Sequence, residues 1–118
     1  MKALIIVAHG SRNELANQRF VNLVDKIKPS LQKKYDLIEL SFLEFASPSL
    51  VETIDSLPKS NTTLKVAIFP YFLHAGNHVA KDIPNIVKNS HLKNTDVQFL
   101  AALGEEPKMI DLMLQILT

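Results

Sequence analysis

The residues of this 118-residue chain best suited to chemistry are few and clustered. There is no cysteine, so disulfides and thiolate metal sites are excluded, and any metal ion must be held by nitrogen or oxygen. Of the four histidines, His9 stands in His9-Gly10-Ser11-Arg12, while His74 and His78 stand in His74-Ala75-Gly76-Asn77-His78. Neutral imidazole ligates borderline divalent ions and accepts a proton near neutral pH, so two histidines at one site suit metal ligation or acid–base work. Glu44 offers a carboxylate as proton acceptor. Asp82 follows His78 by four residues and would orient that imidazole if both share a helix face. Each residue has a plainer role too: an exposed loop carboxylate for Glu44, a helix N-cap for Asp82, hydrogen-bonded strand-end or rim residues for His9, His74 and His78, and a solvated loop residue for His91.

These residues need elements to position them, and the chain alternates strand and helix four times. Ala3–Ala8 is an unbroken apolar run, as expected of a strand buried on both faces. Phe20, Val24, Ile27 and Leu31 then recur at helical spacing, with Pro29 ending or bending that helix. Leu37–Phe42 reads as the second strand. Ser47-Pro48 reads as an N-cap with proline at the first helical position, ahead of the stripe Leu50, Ile54, Leu57. Leu64–Phe69 is the third strand. A helix capped by Asp82, with Pro84 in its first turn, carries Ile83, Ile86 and Val87. Val97–Ala101 is the fourth strand, and Pro107 opens a last helix with Met109, Leu112, Met113 and Ile116 on one face. Such alternation predicts one α/β domain over residues 1–118, a three-layer sandwich with a four-stranded parallel sheet flanked by helices.

In that architecture ligands bind outside the carboxyl ends of the strands. Gly10, Gly76 and Gly104, the three glycines of the chain, all fall in loops that follow a strand and precede a helix, as do His9, His74 and His78. First and third strands are often neighbours in this topology, which would bring His9 and His78 to one edge. Gly10 serves either a tight turn or close approach by a ligand.

Composition narrows the class further. A hydrophobic fraction of 47% with 21% charged residues is that of a globular chain, not a disordered one. A net charge of +1, without a basic stripe and interleaved aromatics, argues against a nucleic-acid partner. No apolar stretch approaches the ~20 residues of a membrane span, and Met1-Lys2 leads directly into the first strand without a cleavage-site pattern. The expectation is a soluble, cytoplasmic protein. One domain of this size lacks the walls for a deep enclosed pocket of its own. Histidine phosphatases also place His-Gly after their first strand, but with an arginine directly before the histidine; here that residue is Ala8.

Three stretches taken together, His9-Gly10-Ser11-Arg12, Phe45-Ala46-Ser47-Pro48-Ser49 and Pro70 through Pro84, resemble the short CbiX family of sirohydrochlorin cobaltochelatases, relatives of the siroheme and protoporphyrin ferrochelatases. The third stretch is the most specific, and the resemblance covers nearly the whole chain. It implies a chelatase-like, flavodoxin-like half unit, since longer relatives resemble two such units fused, and hence a homodimer with the site between or beneath two copies. It implies that a divalent metal (Co²⁺, with Fe²⁺ or Ni²⁺ as alternatives) and the tetrapyrrole sirohydrochlorin are substrates, with no organic cofactor. His9 and His78 match the family's metal-handling histidines, Glu44 matches an acidic position of many relatives, and His74 falls at a variable one.

The implied reaction has three tasks. The ion must lose water, two pyrrole N–H protons must leave, and the macrocycle must be held with its nitrogens facing the ion. One imidazole nitrogen cannot hold the ion and accept a proton at once, so two histidines allow a hand-over. A closed four-ligand site would trap the ion, so ligation must be weak and open. Ser11, Arg12, Asn13, Gly76 and Lys81 are the candidate contacts for the substrate's carboxylates, using side chains and the N–H groups of strand-to-helix loops. Phe45, Tyr71, Phe72 and Leu73 are candidates to cover the ring face. A non-catalytic carrier of metal or tetrapyrrole would use the same ligands, and turnover separates the two.

Overall fold

The computed structural model describes residues 1–59 and 63–118, and of His78 its backbone. The elements run β1 (Lys2–Ala8), α1 (Glu14–Leu31), β2 (Leu37–Phe42), α2 (Leu50–Asp55), β3 (Lys65–Pro70), α3 (Asn77–Lys88), β4 (Asp96–Phe99), a 3₁₀ turn (Leu103–Glu105) and α4 (Lys108–Leu117). All strands are parallel, in the order β2-β1-β3-β4. β1 is central, with Ile5 level with Glu39 of β2 and Ile68 of β3.

The apolar runs explain this arrangement, because a strand with helices on both faces has no solvent side to reserve for polar residues. Ala3, Ile5 and Val7 of β1 pack with Val66 and Ile68 of β3 against Leu50 and Ile54 of α2 and Ile83 and Val87 of α3. Leu4 and Ile6 pack on the other face with Ile38, Phe42 and Ala67 against Phe20 and Val24 of α1. The chain steps from β1 outward to β2, then back across β1 to β3 and on to β4. Crossovers of one hand therefore put α1 on one face and α2 and α3 on the other.

Several local expectations need correction. The N-cap of α2 is Ser49, whose side chain accepts the Glu52 N–H while the Glu52 carboxylate accepts the Ser49 N–H; Pro48, preceded by a cis bond, lies ahead of the helix. α3 begins at Asn77 with Gly76 as N-cap, which leaves Asp82 and Pro84 inside the helix. α1 continues through Pro29 to Leu31. In both helices the proline is exposed, as is the residue four positions earlier whose carbonyl loses its partner (Asp25 and Ala80), so water can serve that carbonyl. β4 ends at Phe99, two residues short of Ala101, and the 3₁₀ turn intervenes before the last helix. His91 is not a solvated residue: it is half-buried, and both its ring nitrogens are buried without a hydrogen-bond partner among the described residues.

Candidate functional site

The carboxyl edge of the sheet is formed by the loops after β1, β2 and β3. The strand order reverses direction between β1 and β3, so the switch point lies between the loop that starts at His9 and the loop that leads into α3. His9 is exposed and directly follows β1. His78 is the second residue of α3; its side chain, and so its assignment as ligand or base, lies outside the described residues. His74 is exposed in the loop between β3 and α3. Glu44 is exposed in the loop after β2.

The first two loops are tied together through the backbone. Leu43 N–H donates to the Ala8 carbonyl at 3.0 Å, and Glu44 N–H donates to the His9 carbonyl at 2.9 Å, extending the ladder past both strands. Gly10 adopts φ +94°, and a Cβ built there would lie 1.8 Å from the Glu44 carbonyl oxygen. The glycine is therefore demanded by the neighbouring loop, whether or not a ligand also approaches it. The sequence singled out Gly10 and Glu44 separately; the structure sets their backbones in contact.

Ser11 is held by Asn17 from the first turns of α1. Asn17 Oδ1 accepts the Ser11 N–H at 3.0 Å, and Asn17 Nδ2 donates to the Ser11 carbonyl at 2.7 Å. Ser11 Oγ accepts the Asn13 N–H at 3.0 Å, and Asn13 caps α1 by accepting the Leu15 N–H at 2.9 Å. The hydroxyl of Ser11 keeps its own proton to donate, but the oxygens of both residues already organise the loop. Asn17 escaped the sequence reading, because an asparagine six residues along gives no local sign of reaching back. The Arg12 guanidinium lies over the Phe45 ring, 4.9 Å from its centroid, and bridges the first loop to the second. Phe45 has φ 64° and is exposed, an unusual state for a large side chain. The Arg12–Phe45 pair thus presents a cation and an aromatic ring at the rim.

The third loop is braced from behind. Tyr71 N–H donates to the Val7 carbonyl at 2.7 Å, and Gly104 N–H donates to the Phe72 carbonyl at 3.2 Å. A Cβ at Gly104 would stand 1.9 Å from the Leu73 carbonyl oxygen, so the 3₁₀ turn rests directly on the loop that carries His74. Gly76, by contrast, faces open space, and Lys81 is exposed on α3. Phe45 and Leu73 are exposed, whereas Tyr71 and Phe72 are half-buried; Tyr71 stacks on Phe20 at 5.3 Å. Among the described residues no group of three His, Asp or Glu side chains is placed to hold a metal ion. None of their helices is long and apolar enough to cross a membrane.

The chain is thus a parallel α/β domain whose switch point lies between the loop headed by the exposed His9 and the loop into α3, the edge at which open α/β sheets bind ligands. The CbiX family model matches residues 3–118, and the chain belongs to the CbiX family. It is 36% identical over 87 residues to a protein named sirohydrochlorin cobaltochelatase from Methanococcus maripaludis, a match covering 74% of this chain and 58% of that protein. It is 26% identical over 117 residues to a sirohydrochlorin ferrochelatase from Priestia megaterium, covering 98% of this chain and 43% of that one. The chain thus spans about two-fifths to three-fifths of the length of these relatives. Its fold matches a solved sirohydrochlorin chelatase, SirB from Bacillus subtilis subspecies spizizenii in complex with cobalt, with a TM-score of 0.79, 21% identity, and coverage of 98% of this chain and 49% of that chain.

Proposed function

We propose that this domain inserts a divalent metal, Co²⁺ first, into sirohydrochlorin, acting as a homodimer in the cytoplasm. One observation carries the reading: an exposed histidine stands directly after the central strand at the switch point, beside the loop leading to His78, in a chain of the CbiX family. The names of the relatives supply cobalt and iron as metals and sirohydrochlorin as the macrocycle.

Both metal and macrocycle are substrates here. His9 and His78 bind the ion weakly and transiently, with water completing its shell. As the ion passes to the macrocycle, both imidazoles and the waters they leave room for are displaced, all four ring nitrogens become its ligands, and the two protons of the pyrrole N–H groups are released. The imidazole freed from the ion accepts one proton and passes it to solvent; Glu44, exposed beside the same loop, accepts the other. The polar rim of Ser11, Arg12, Asn13 and Lys81, with the backbone around Gly76 at the start of α3, receives the substrate's carboxylates. Phe45, on which Arg12 rests, orients that guanidinium toward the rim.

The test is metal insertion by the purified protein, followed by the change in the macrocycle's absorption with Co²⁺, Fe²⁺ and Ni²⁺ in turn. The expected result is insertion well above the spontaneous rate, fastest with Co²⁺. Binding of sirohydrochlorin without acceleration for any ion would make the protein a carrier and end the enzymatic reading.

A further inference from the structure

The loop between β1 and α1 is fastened at both ends. At one end the His9 carbonyl accepts the Glu44 N–H at 2.9 Å. At the other, one side-chain amide takes both backbone groups of Ser11: Asn17 Oδ1 accepts its N–H at 3.0 Å, and Asn17 Nδ2 donates to its carbonyl at 2.7 Å. Asparagine is a poor helix former, yet Asn17 is the fourth residue of α1. The start of the helix does not need it. Asn13 already caps α1 by accepting the Leu15 N–H, and Glu14 supplies an acidic side chain to the first turn. Asn17 fills no core position either: it is half-buried and lines open grooves on both flanks of α1, of about 560 and 500 Å³. Its two bonds reach outside the helix, to a residue two positions ahead of the cap. They order the loop.

The same bonds decide what the loop has left to offer an anion. Turns that lead into helices commonly bind anions through backbone N–H groups. Here the Ser11 N–H is spent on Asn17, the Asn13 N–H on Ser11 Oγ and the Leu15 N–H on Asn13 Oδ1. Two side-chain donors stand in their place. Ser11 Oγ is fixed by the Asn13 N–H that it accepts, and its own proton is left to donate. The Arg12 guanidinium lies over the Phe45 ring, 4.9 Å from its centroid. Arg12 sits between Ser11, clamped by Asn17, and Asn13, the cap, so hydrogen bonds fix the residue on either side of it.

We infer that Asn17 is a positioning residue for the substrate: acting through Ser11, it holds the Ser11 hydroxyl and the Arg12 guanidinium ready for one carboxylate of the macrocycle. The inference rests on the carboxylate-binding rim proposed above. With Asn17 in place the loop is ordered during folding, so a carboxylate that binds there has no backbone left to order. Without it, the loop is ordered only as the carboxylate arrives, and affinity falls. Asn17 acts from behind the loop, on the backbone of Ser11, so its effect lies in binding the macrocycle and not in the chemical step once the macrocycle is bound.

Metal-free sirohydrochlorin is titrated into the protein and its dissociation constant read from the macrocycle's absorption, with kcat and KM for Co²⁺ insertion measured beside it. Asn17→Ala, and Asn17→Leu, which keeps the volume and the helix, should each raise the dissociation constant and KM about tenfold while kcat changes less than about twofold. Gln18→Ala removes a hydrogen bond that stays within α1, to Asn22, and should change none of the three. In a chain that already carries Ser11→Ala and Arg12→Ala, the Asn17 substitutions should add less than about twofold, because the donors it positions are gone. Asn17 variants that bind like the wild type would overturn the inference. So would a tenfold effect that persists without Ser11 and Arg12, or a loss that falls on kcat with KM unchanged. A wild type that binds the macrocycle without inserting metal would end the enzymatic reading, and the dissociation constants would still decide this one. A wild type that does not bind the macrocycle would overturn both.

Discussion

Gly10→Ala tests how the first loop is built. The glycine sits at φ +94°, a region that opposes an L side chain by about 1–2 kcal/mol. The added Cβ would also lie 1.8 Å from the Glu44 carbonyl oxygen and 2.9 Å from its carbon. Ordinary contact begins near 3.4 Å, so the second loop must retreat by about 1.6 Å. That retreat breaks the bond from Glu44 N–H to the His9 carbonyl, now 2.9 Å long, a net loss of about 1 kcal/mol. Together the terms give a destabilisation of about 2–3 kcal/mol, or a drop of roughly 8–12 °C in melting temperature. Urea unfolding followed by circular dichroism measures it. Gly76→Ala is the control: nothing lies within 4 Å of its Cβ and φ is −63°, so it should lose no more than about 1 kcal/mol. If Gly10→Ala proves as mild as Gly76→Ala, the close approach of the two loops is wrong.

Three further substitutions probe the scaffold. Asn17→Ala removes both hydrogen bonds that hold Ser11 and should cost about 1–2 kcal/mol by urea unfolding, with faster amide exchange in the loop from Gly10 to Asn13. Ser49→Ala breaks the capping box with Glu52 and should cost about 1 kcal/mol, whereas Ser47→Ala, at the residue before the cis proline, should cost less on the same measurement. Gly104→Ala drives a Cβ against the Leu73 carbonyl and should cost about 1–3 kcal/mol, with increased exchange in the loop that carries His74.

Strand positions were legible because four short apolar runs can do little else than form a sheet covered on both faces, and β1–β3 adjacency followed from the topology such sheets favour. Helix starts were harder to read. Pro48 and Pro84 both look like first-turn prolines, yet one precedes its helix and the other lies inside it. The better signal for α2 was the spacing Ser49-x-x-Glu52, which specifies a reciprocal pair of hydrogen bonds where proline specifies only φ. The loop residues His9, Glu44 and Gly10 could be assigned to one edge from strand order alone. The contact of Gly10 with Glu44, the reach of Asn17 to Ser11 and the burial of His91's nitrogens arise from tertiary approach, which no local pattern encodes. α4 shows the same divide: its apolar face was plain in Met109, Leu112, Met113 and Ile116, but sequence gave no sign that the chain's own body would leave that face uncovered.

The central claim is that imidazoles at the switch point move the metal and the pyrrole protons. Its most direct test is the initial rate of Co²⁺ insertion into sirohydrochlorin by the wild type, His9→Ala and His78→Ala, with folding checked by circular dichroism. The account predicts that each substitution lowers the rate by about 10²-fold or more while the protein stays folded. Full activity in both variants would contradict it, because the reaction would then proceed without the residues that the edge of the sheet presents.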